Sequence, residues 1–484
     1  MDSDSQPGAT KLRLLVVIAC YGPKNAELLQ RVIRQYQTMD LEVDIVVLSN
    51  VPRDLGPRVR VIVGLPSENP WSLPFAHKAV FAENVDRYDL FAYSEDDMGV
   101  TEQNIRAFER ASPHLASDEI AGFLRYEVDQ AGSWSLPDVH GGYHWKPDSA
   151  KRRGDYTIAE FTNDHAGFYL ITRNQLTTMI AHDGFVRGPY EGRYDMLCSA
   201  ATDPYTAYGF RKVVCISALD DFLVHHLSNR YAGQMGISLP CVRKQIEALL
   251  AVAAGTHVAS TLFQVDTPWP DGKWAKNFYE DPDPDVLALI PEGTRTLLSL
   301  GCGWGATETL LIERGITVTA VPINSIIATA AAARPGFNVE YGSFEECLTR
   351  LNGQVFDCVL VTDLLHLLPD PQYVIEAYAV FVGEGHTMVI AGPNFGSLRV
   401  LGKRAINKGG YRKLRSFEES GINLVSPGLL KRYLKPLGFE ISAIRWSERP
   451  TSRNFDGKLG RWGSANWVMQ ARRRAARCSE VGIR

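Results

Sequence analysis

Residues 296–305 read TLLSLGCGWG, and residues 14–24 read LLVVIACYGPK. Each stretch is a short apolar run followed at once by a glycine-containing turn, and a helical segment comes next. Continuous apolar runs of this length are typical of strands buried on both faces of a parallel sheet. The two stretches therefore predict two separate α/β openings in one chain.

Strands and helices alternate after each opening. The predicted strands of the first half lie at 43–48, 59–63 and 90–93, with helices at 26–37 and 75–85. Those of the second half lie at 318–321, 339–341 and 357–362, with helices near 307–314 and 325–334. Such alternation predicts right-handed, mostly parallel sheets. We expect an α/β protein with domains at 10–237 and 272–475 and a helical linker at 238–271.

Composition excludes several classes of function. The 484 residues carry 51 Lys and Arg against 55 Asp and Glu, so no broad basic field exists for nucleic acid. No apolar run of about 18 residues is present, which predicts no membrane span. The basic stretch ARRRAARC at 471–478 leaves peripheral membrane association open. A polar start and eight scattered cysteines predict a reduced, cytoplasmic protein.

Three adjacent acids, Glu95, Asp96 and Asp97, follow the apolar strand at 90–93. Neighbouring carboxylates repel one another unless a cation shares them. Mg²⁺ and Mn²⁺ prefer such oxygen ligands and often bridge to phosphate. Ligands of open α/β sheets bind at the carboxyl ends of the strands. The acids therefore predict a metal-bound diphosphate, although a solvated turn would show the same residues.

The arrangement of residues 10–235, with Glu95-Asp96-Asp97 as its acidic motif, resembles GT-A glycosyltransferases, notably exostosin-like and related bacterial polysaccharide enzymes. This resemblance implies sugar transfer from a nucleotide-diphosphate donor to a glycan or glycolipid acceptor with Mn²⁺ or Mg²⁺. It implies a metal held by Glu95, Asp97 and a late histidine, with His225 preferred over His226. It also implies donor contacts by Tyr21, Gly22, Ser49, Asn50, Lys78 and Asp96.

An inverting transfer needs a carboxylate that takes the proton of the acceptor hydroxyl. Asp164 is the first candidate, and Glu191 and Asp195 are its rivals. Each of these acids could instead cap a helix or hold a loop. The residues leave retention or inversion of stereochemistry open, as they do the identities of donor and acceptor.

The glycines of the second opening, Gly301, Gly303 and Gly305, lie between a strand and a helix. Glycines at this point allow close approach of a ligand, and the helix N-terminus favours polar or anionic groups. Together with FDCVLVTDLLHLLPDP at 356–371 and GPNF at 392–395, they resemble class I S-adenosylmethionine-dependent methyltransferases of the small-molecule and sugar O-methyltransferase type. The resemblance covers residues 272–472 and implies a Rossmann-like fold with S-adenosylmethionine as cofactor.

Three acids usual in that family are absent, because Ser299, Pro322 and Ser343 stand at their positions. Hydrogen bonds to charged groups contribute about 1.5–3 kcal/mol each. Asn324, Ser325 or Glu345 could replace the missing ribose carboxylate, and without such a replacement weak cofactor binding or a scaffold role is expected. The polar residues expected around the cofactor are Asn324, Ser343 and Asp363.

His366 follows the fourth strand, where a general base for methyl transfer can lie. A buried histidine at a helix start is the competing interpretation. Trp274, Lys276 and Tyr279 precede the domain and could form a lid.

The combined prediction is a bifunctional enzyme that transfers a sugar and methylates a sugar hydroxyl. One alternative is a glycosyltransferase whose methyltransferase-like domain is degenerate and structural. A second is a non-catalytic module that binds sugar nucleotides.

Overall fold

The computed structural model describes residues 11–182, 184–269, 272–332, 334–448, 453–454 and 460–475. The chain divides into two compact units. Unit 1 consists of Met1–Val139 and Ser149–Ala254, and unit 2 of His140–Asp148 and Gly255–Arg484. The predicted linker at 238–271 is divided between the units. Across the described ranges, no helix combines the length and the apolar character needed to cross a membrane.

The elements of unit 1 alternate from the start, as the apolar runs predict. Its strands are β1 Arg13–Cys20, β2 Glu42–Ser49, β3 Val59–Val63, β4 Leu90–Glu95, β5 Met98–Gly99, β6 Glu119–Ala121, β7 Leu124–Val128, β8 Trp134–Leu136, β9 Lys151–Arg153, β10 Tyr156–Ala159, β11 Phe168–Thr172, β12 Arg211–Cys215, β13 Leu223–His226 and β14 Ile237–Ser238. Its α-helices are α1 Ala26–Gln37, α2 His77–Glu83, α3 Glu102–Ala111, α4 Arg173–Ala181, α5 Met196–Thr206 and α6 Leu239–Ala253.

Three sheets build unit 1. The first has the order β11-β4-β1-β2-β3, with β11 antiparallel to β4 and the other pairs parallel. The second is β6-β12-β10-β9 and the third is β14-β8-β7-β13-β5. Strand β1 is buried from Leu14 to Cys20, and α1 packs one face, through Leu29, Val32 and Ile33, into the same core. Burial on both faces accounts for the unbroken apolar run of β1.

The elements of unit 2 begin after a long connection. Its strands are β15 Thr296–Leu300, β16 Thr317–Val321, β17 Phe337–Val339, β18 Phe356–Thr362, β19 Val382–Pro393, β20 Phe439–Glu448, β21 Arg453–Asn454 and β22 Asn466–Arg473. Its α-helices are α7 Pro284–Leu289, α8 Ala306–Glu313, α9 Thr329–Ala332, α10 Phe344–Leu351, α11 Pro371–Ala379, α12 Leu398–Ala405, α13 Phe417–Ser420, α14 Pro427–Leu434 and α15 Gly460–Gly463.

One sheet of unit 2 has the order β17-β16-β15-β18-β19-β22-β20-β21. The five strands from β17 to β19 are parallel, and β22 runs antiparallel to β19 and β20. The parallel part has the doubly wound order, in which the direction of winding reverses between β15 and β18. The Rossmann-like fold predicted for this half is therefore present.

Two boundaries in unit 2 differ from their predictions. The strand expected at 339–341 ends at Val339, and the helix expected at 325–334 is reduced to Thr329–Ala332. The side chain of Asn324 accepts hydrogen bonds from the backbone of Ile326 and Ile327. These bonds form a side-chain-capped turn in place of the first helical turn.

Candidate functional site

Unit 1 has a cavity at the point where its first sheet reverses winding, between the carboxyl ends of β1 and β4. The cavity measures about 280 Å³, and its lining includes Tyr21, Trp71, Asp96, Asp97, His226 and Arg230. Tyr21 and Trp71 are half-exposed, and Trp71 comes from the 3₁₀ helix Pro70–Ala76. A crevice of this kind is the usual ligand site of doubly wound sheets.

The three predicted acids lie in this cavity with different partners. Burial, followed by the charge of Asp97, raises the pKa of Glu95 to about 7. Asp96 accepts a hydrogen bond of 2.7 Å from Asn25 in the turn before α1, and burial raises its pKa. Burial alone would raise the pKa of Asp97, but the hydrogen bond and charge of His226 hold it below its usual value.

The histidine at this site is His226, whereas His225 was the predicted ligand. The Nε2 atom of His226 lies 3.1 Å from an oxygen of Asp97, and its Nδ1 contacts Glu127. His225 instead stacks on Tyr126 at a ring distance of 4.6 Å and contacts Asn229. Successive residues of a strand point to opposite faces, so only one of the pair can reach Asp97.

No predicted metal centre is supported by the geometry. Among the residues with described positions, no group of three or more His, Cys, Asp or Glu side chains is arranged to hold a metal ion. Glu95, Asp97 and His225 are thus not brought together as a ligand set.

The structure brings together some of the residues predicted to contact the donor. Asn50 accepts a hydrogen bond of 2.8 Å from the backbone of Gly22, and Arg53 links Ser49 to the carbonyl of Gly22. The loops after β1 and β2 are therefore tied together, beside the exposed ring of Tyr21.

Lys78, a predicted donor contact, is not among the residues that line the cavity. Its ammonium group is 1% exposed and forms an ion pair with Asp203, which also accepts a hydrogen bond from Tyr190. Burial lowers the pKa of Lys78, and the carboxylate of Asp203 opposes that effect. A diphosphate could reach this lysine only if the ion pair opened.

The three predicted base candidates lie outside the lining of the cavity. Asp164 forms an ion pair of 3.0 Å with Arg193, and Asp195 caps α5 by accepting from the backbone of Cys198 at 2.8 Å. Glu191 is exposed on the loop before α5. Loop and capping functions, the competing interpretations, account for the placements of Asp164 and Asp195.

In unit 2, a segment at 273–280 lies across the reversal point between β15 and β18. Lys276 donates to the carbonyl of Thr362 at 3.0 Å, and the ring of His366 contacts the carbonyl of Trp274 at 2.8 Å. At its other end, Glu280 accepts from the backbone of Gly303 at 3.3 Å. The structure thus places Trp274 and Lys276, two of the three residues suggested as a lid, beside the carboxyl end of β18.

The glycine loop is shaped by both backbone torsion and close contact. Gly301 and Gly305 have φ values of 74° and 81°, which favour glycine. A Cβ atom on Gly303 would lie 2.4 Å from the carbonyl oxygen of Phe278. The absence of a side chain at Gly303 therefore serves the packing of the 273–280 segment.

Two carboxylates flank this loop. Burial, partly offset by Lys276 and reinforced by Glu308, raises the pKa of Glu280 to about 7. Glu308, on the first turn of α8, is 1% exposed and accepts a hydrogen bond of 2.6 Å from Ser299. The carboxylate of Glu308 therefore contacts Ser299, which stands where the family resemblance leads us to expect an acid.

Two of the three polar residues predicted around the cofactor, Asn324 and Ser343, are engaged within unit 2. Asn324 is buried, donates to the carbonyl of Trp145 at 2.8 Å and accepts from two backbone amides. Ser343 caps α10 in a reciprocal arrangement with Glu346. Asp363 has a φ of 46° at the end of β18.

The position of His366 weighs against its predicted role as a base. It is 3% exposed, and burial lowers its pKa to about 4. One ring nitrogen contacts the carbonyl of Trp274. An imidazole with so low a pKa is a weak proton acceptor, whereas this contact positions the lid segment.

Sequence reasoning missed several residues of the cavity of unit 1 and of the surroundings of the glycine loop in unit 2. In unit 1 these are Asn25, Trp71 and Arg230, and in unit 2 they are Glu280 and Glu308. His226 was named, but as the less favoured of two histidines. Alternation along β13 predicts that only one of two histidines faces the acids, but it does not say which. Glu308 lies one helical turn after the glycines. This spacing could have predicted that its side chain contacts the glycine loop.

Comparison with known proteins supports part of the predicted function. A family model described as "MetW: Methionine biosynthesis protein MetW" matches residues 282–411. The ubiquinone biosynthesis O-methyltransferase of Pseudomonas entomophila (strain L48) is 25% identical over 188 residues, which span 37% of this chain and 78% of that protein. That of Bordetella avium (strain 197N) is 26% identical over 189 residues, spanning 37% and 76%.

The region matched by these relatives spans about 37% of the chain and is similar to O-methyltransferases. The matches give no support to the predicted GT-A glycosyltransferase domain.

Similar solved structures are also methyltransferases. One, from Archaeoglobus fulgidus, has 23% identity and a TM-score of 0.28, covering 38% of this chain and 88% of its own. Another, from Methanosarcina mazei, has 21% identity and a TM-score of 0.30, covering 40% and 100%.

Proposed function

We propose that unit 2 binds S-adenosylmethionine at the crevice between β15 and β18 and transfers its methyl group to a hydroxyl oxygen. The glycine loop at the reversal point of a doubly wound sheet, flanked by two buried carboxylates, carries this proposal. The O-methyltransferases among its relatives favour an oxygen acceptor.

The residues of unit 2 would contribute mainly by positioning the cofactor and the acceptor. The bound cofactor supplies an electrophilic methyl group, and transfer requires that group to lie in line with the acceptor oxygen. The segment 273–280 is tied to both edges of the crevice, which would exclude water from it. His366 would hold this segment through its contact with Trp274.

Isothermal titration calorimetry of the full chain with S-adenosylmethionine tests the binding step. We expect one saturable site, and adenosine triphosphate, which lacks the amino-acid end, should not compete. A folded protein that shows no heat of binding at millimolar cofactor would contradict the proposal. Transfer of a labelled methyl group to a panel of hydroxylated acceptors, sugars included, then identifies the acceptor class.

We infer a second candidate function for unit 1: binding of a nucleotide-diphosphate sugar and transfer of the sugar to a glycan or glycolipid. The cavity between β1 and β4 favours it, because exposed rings of Tyr21 and Trp71 can stack on a nucleobase. Arg230 faces the same cavity and could pair with a diphosphate. Two such activities in one chain would couple successive steps at high effective concentration.

Calorimetric titration with a panel of nucleoside diphosphates tests this candidate. We expect one diphosphate to bind, and Arg230→Gln to weaken it at least about tenfold, because a charged hydrogen bond is lost. Arg152→Gln, at an exposed position, is the matched control. Unchanged affinity in Arg230→Gln would remove Arg230 from the site, and no binding by the parent would remove the candidate function.

A further inference from the structure

Two carboxylates of unit 2 each have one oxygen atom without a hydrogen-bond partner. In Glu308, Oε1 accepts from Ser299, while Oε2 is buried and unpartnered within the described structure. In Glu280, Oε1 accepts from the backbone of Gly303, and Oε2 is likewise buried and unpartnered there. Both atoms belong to side chains beside the same glycine loop.

Buried carboxylate oxygens are normally satisfied, because an unpaired buried charge is costly. The positive charge that acts on the pKa of Glu280 is that of Lys276, which lowers it. Its ammonium group donates to the carbonyl of Thr362 at 3.0 Å. The single positive charge of Lys276 does not balance two carboxylates, which favours the binding of a second cation.

The chemistry of the two oxygens selects the kind of cation. Both are acceptors, so an organic cation that satisfies them must carry N–H or O–H donors. S-adenosylmethionine carries two positive groups, and only its ammonium group has hydrogens to donate. The sulfonium centre attracts carboxylates without forming hydrogen bonds.

We propose that Glu280 and Glu308 form a receptor for the ammonium group of S-adenosylmethionine, with Ser299 orienting Glu308. This inference rests on the proposed cofactor binding of unit 2. It also gives a reason for the serine at 299: the carboxylate absent from the strand is supplied by the helix that follows the loop. Glu280 adds a second carboxylate from the lid segment.

The experiment measures binding of two cofactor analogues to the full chain by calorimetry. S-adenosylhomocysteine keeps the ammonium group and lacks the sulfonium, whereas its deaminated analogue has hydrogen in place of the ammonium. We expect the parent to prefer S-adenosylhomocysteine by at least about tenfold, as one charged hydrogen-bonded group contributes. Glu280→Gln should remove this preference, and the exposed control Glu376→Gln should keep it.

A second readout needs no ligand. At about pH 8, Glu280→Gln should raise the Tm of the free protein, because it removes the charge of a carboxylate that has one buried, unpartnered oxygen. A purely structural glutamate would show a lower Tm on this substitution. Glu308→Gln provides the same comparison if Glu280→Gln does not fold.

The outcomes separate the inference from the function on which it rests. If the parent binds both analogues equally, or Glu280→Gln keeps the full preference, the ammonium receptor is wrong while cofactor binding stands. If neither S-adenosylmethionine nor S-adenosylhomocysteine binds the folded parent, the proposed function and the receptor both fail.

Discussion

Substitution of Lys78 by methionine should strongly destabilise unit 1. The Lys78 and Asp203 side chains are each 1% exposed and form a buried ion pair, and Tyr190 also donates to Asp203. Methionine keeps most of the length of the lysine stem but loses the ammonium group, which lies 4.8 Å from the ring centre of Phe75. The variant therefore isolates the loss of the positive charge and leaves Asp203 uncompensated in the interior.

Removing one partner of a buried ion pair costs about 3–5 kcal/mol. For a unit of roughly 150–250 residues, each kcal/mol shifts Tm by about 2–4 °C, so a shift of roughly 6–20 °C is expected. Differential scanning calorimetry and urea unfolding followed by near-ultraviolet circular dichroism measure it. Lys78→Met combined with Asp203→Asn should recover most of the loss, and the exposed control Lys24→Met should change the free energy of unfolding by at most about 0.5 kcal/mol.

A loss below about 1 kcal/mol in Lys78→Met would refute this reasoning, since a solvated pair contributes that little. If stability stayed unchanged while affinity for a nucleoside diphosphate fell, the diphosphate contact predicted from the sequence would be restored.

Two further perturbations test unit 2. Gly303→Ala would place a Cβ atom 2.4 Å from the carbonyl oxygen of Phe278, so it should cost about 1–3 kcal/mol in urea unfolding. Gly402→Ala, in helix α12 with no atom within 4 Å of the new Cβ, should instead be neutral or gain about 0.4–1 kcal/mol. The pKa of Glu280 rises from 4.5 to about 7 on folding, so its contribution to stability falls as pH increases through that window. Glu280→Gln should flatten the fall, measured as Tm against pH, whereas Glu376→Gln should leave it unchanged.

The local hydrophobic pattern was sufficient to predict the strands that position the cavity of unit 1 and the glycine loop of unit 2. The run Leu14–Ala19 predicts a buried strand, and the structure has one at Arg13–Cys20. TLLSL at 296–300 coincides with β15. Because ligands of such sheets bind where winding reverses, the acids after β4 and the glycines after β15 could be predicted as site residues.

Contacts between distant segments could not be predicted in this way. The partner of Lys78 is 125 residues away in sequence, and nothing in the local pattern of α2 indicates a buried charge. The hydrogen bond between Ser299 and Glu308 joins a strand to the inward side of a helix, and its geometry depends on how the glycine loop turns. The missing acid at 299 therefore looked like a loss when the residues were considered singly.

Unit 2 consists of two separate stretches of the chain, and this has a consequence for folding during synthesis. Residues 140–148 belong to unit 2 although the chain on either side of them belongs to unit 1. Trp145 of this segment is fully buried, and its carbonyl accepts from Asn324, 179 residues later. At about 5–20 residues per second, a ribosome needs roughly 9–36 s to synthesise that interval. Any chain that stops before Asn324 leaves the carbonyl of Trp145 without this hydrogen bond. Separate expression of the two halves would divide the core of unit 2 between two polypeptides.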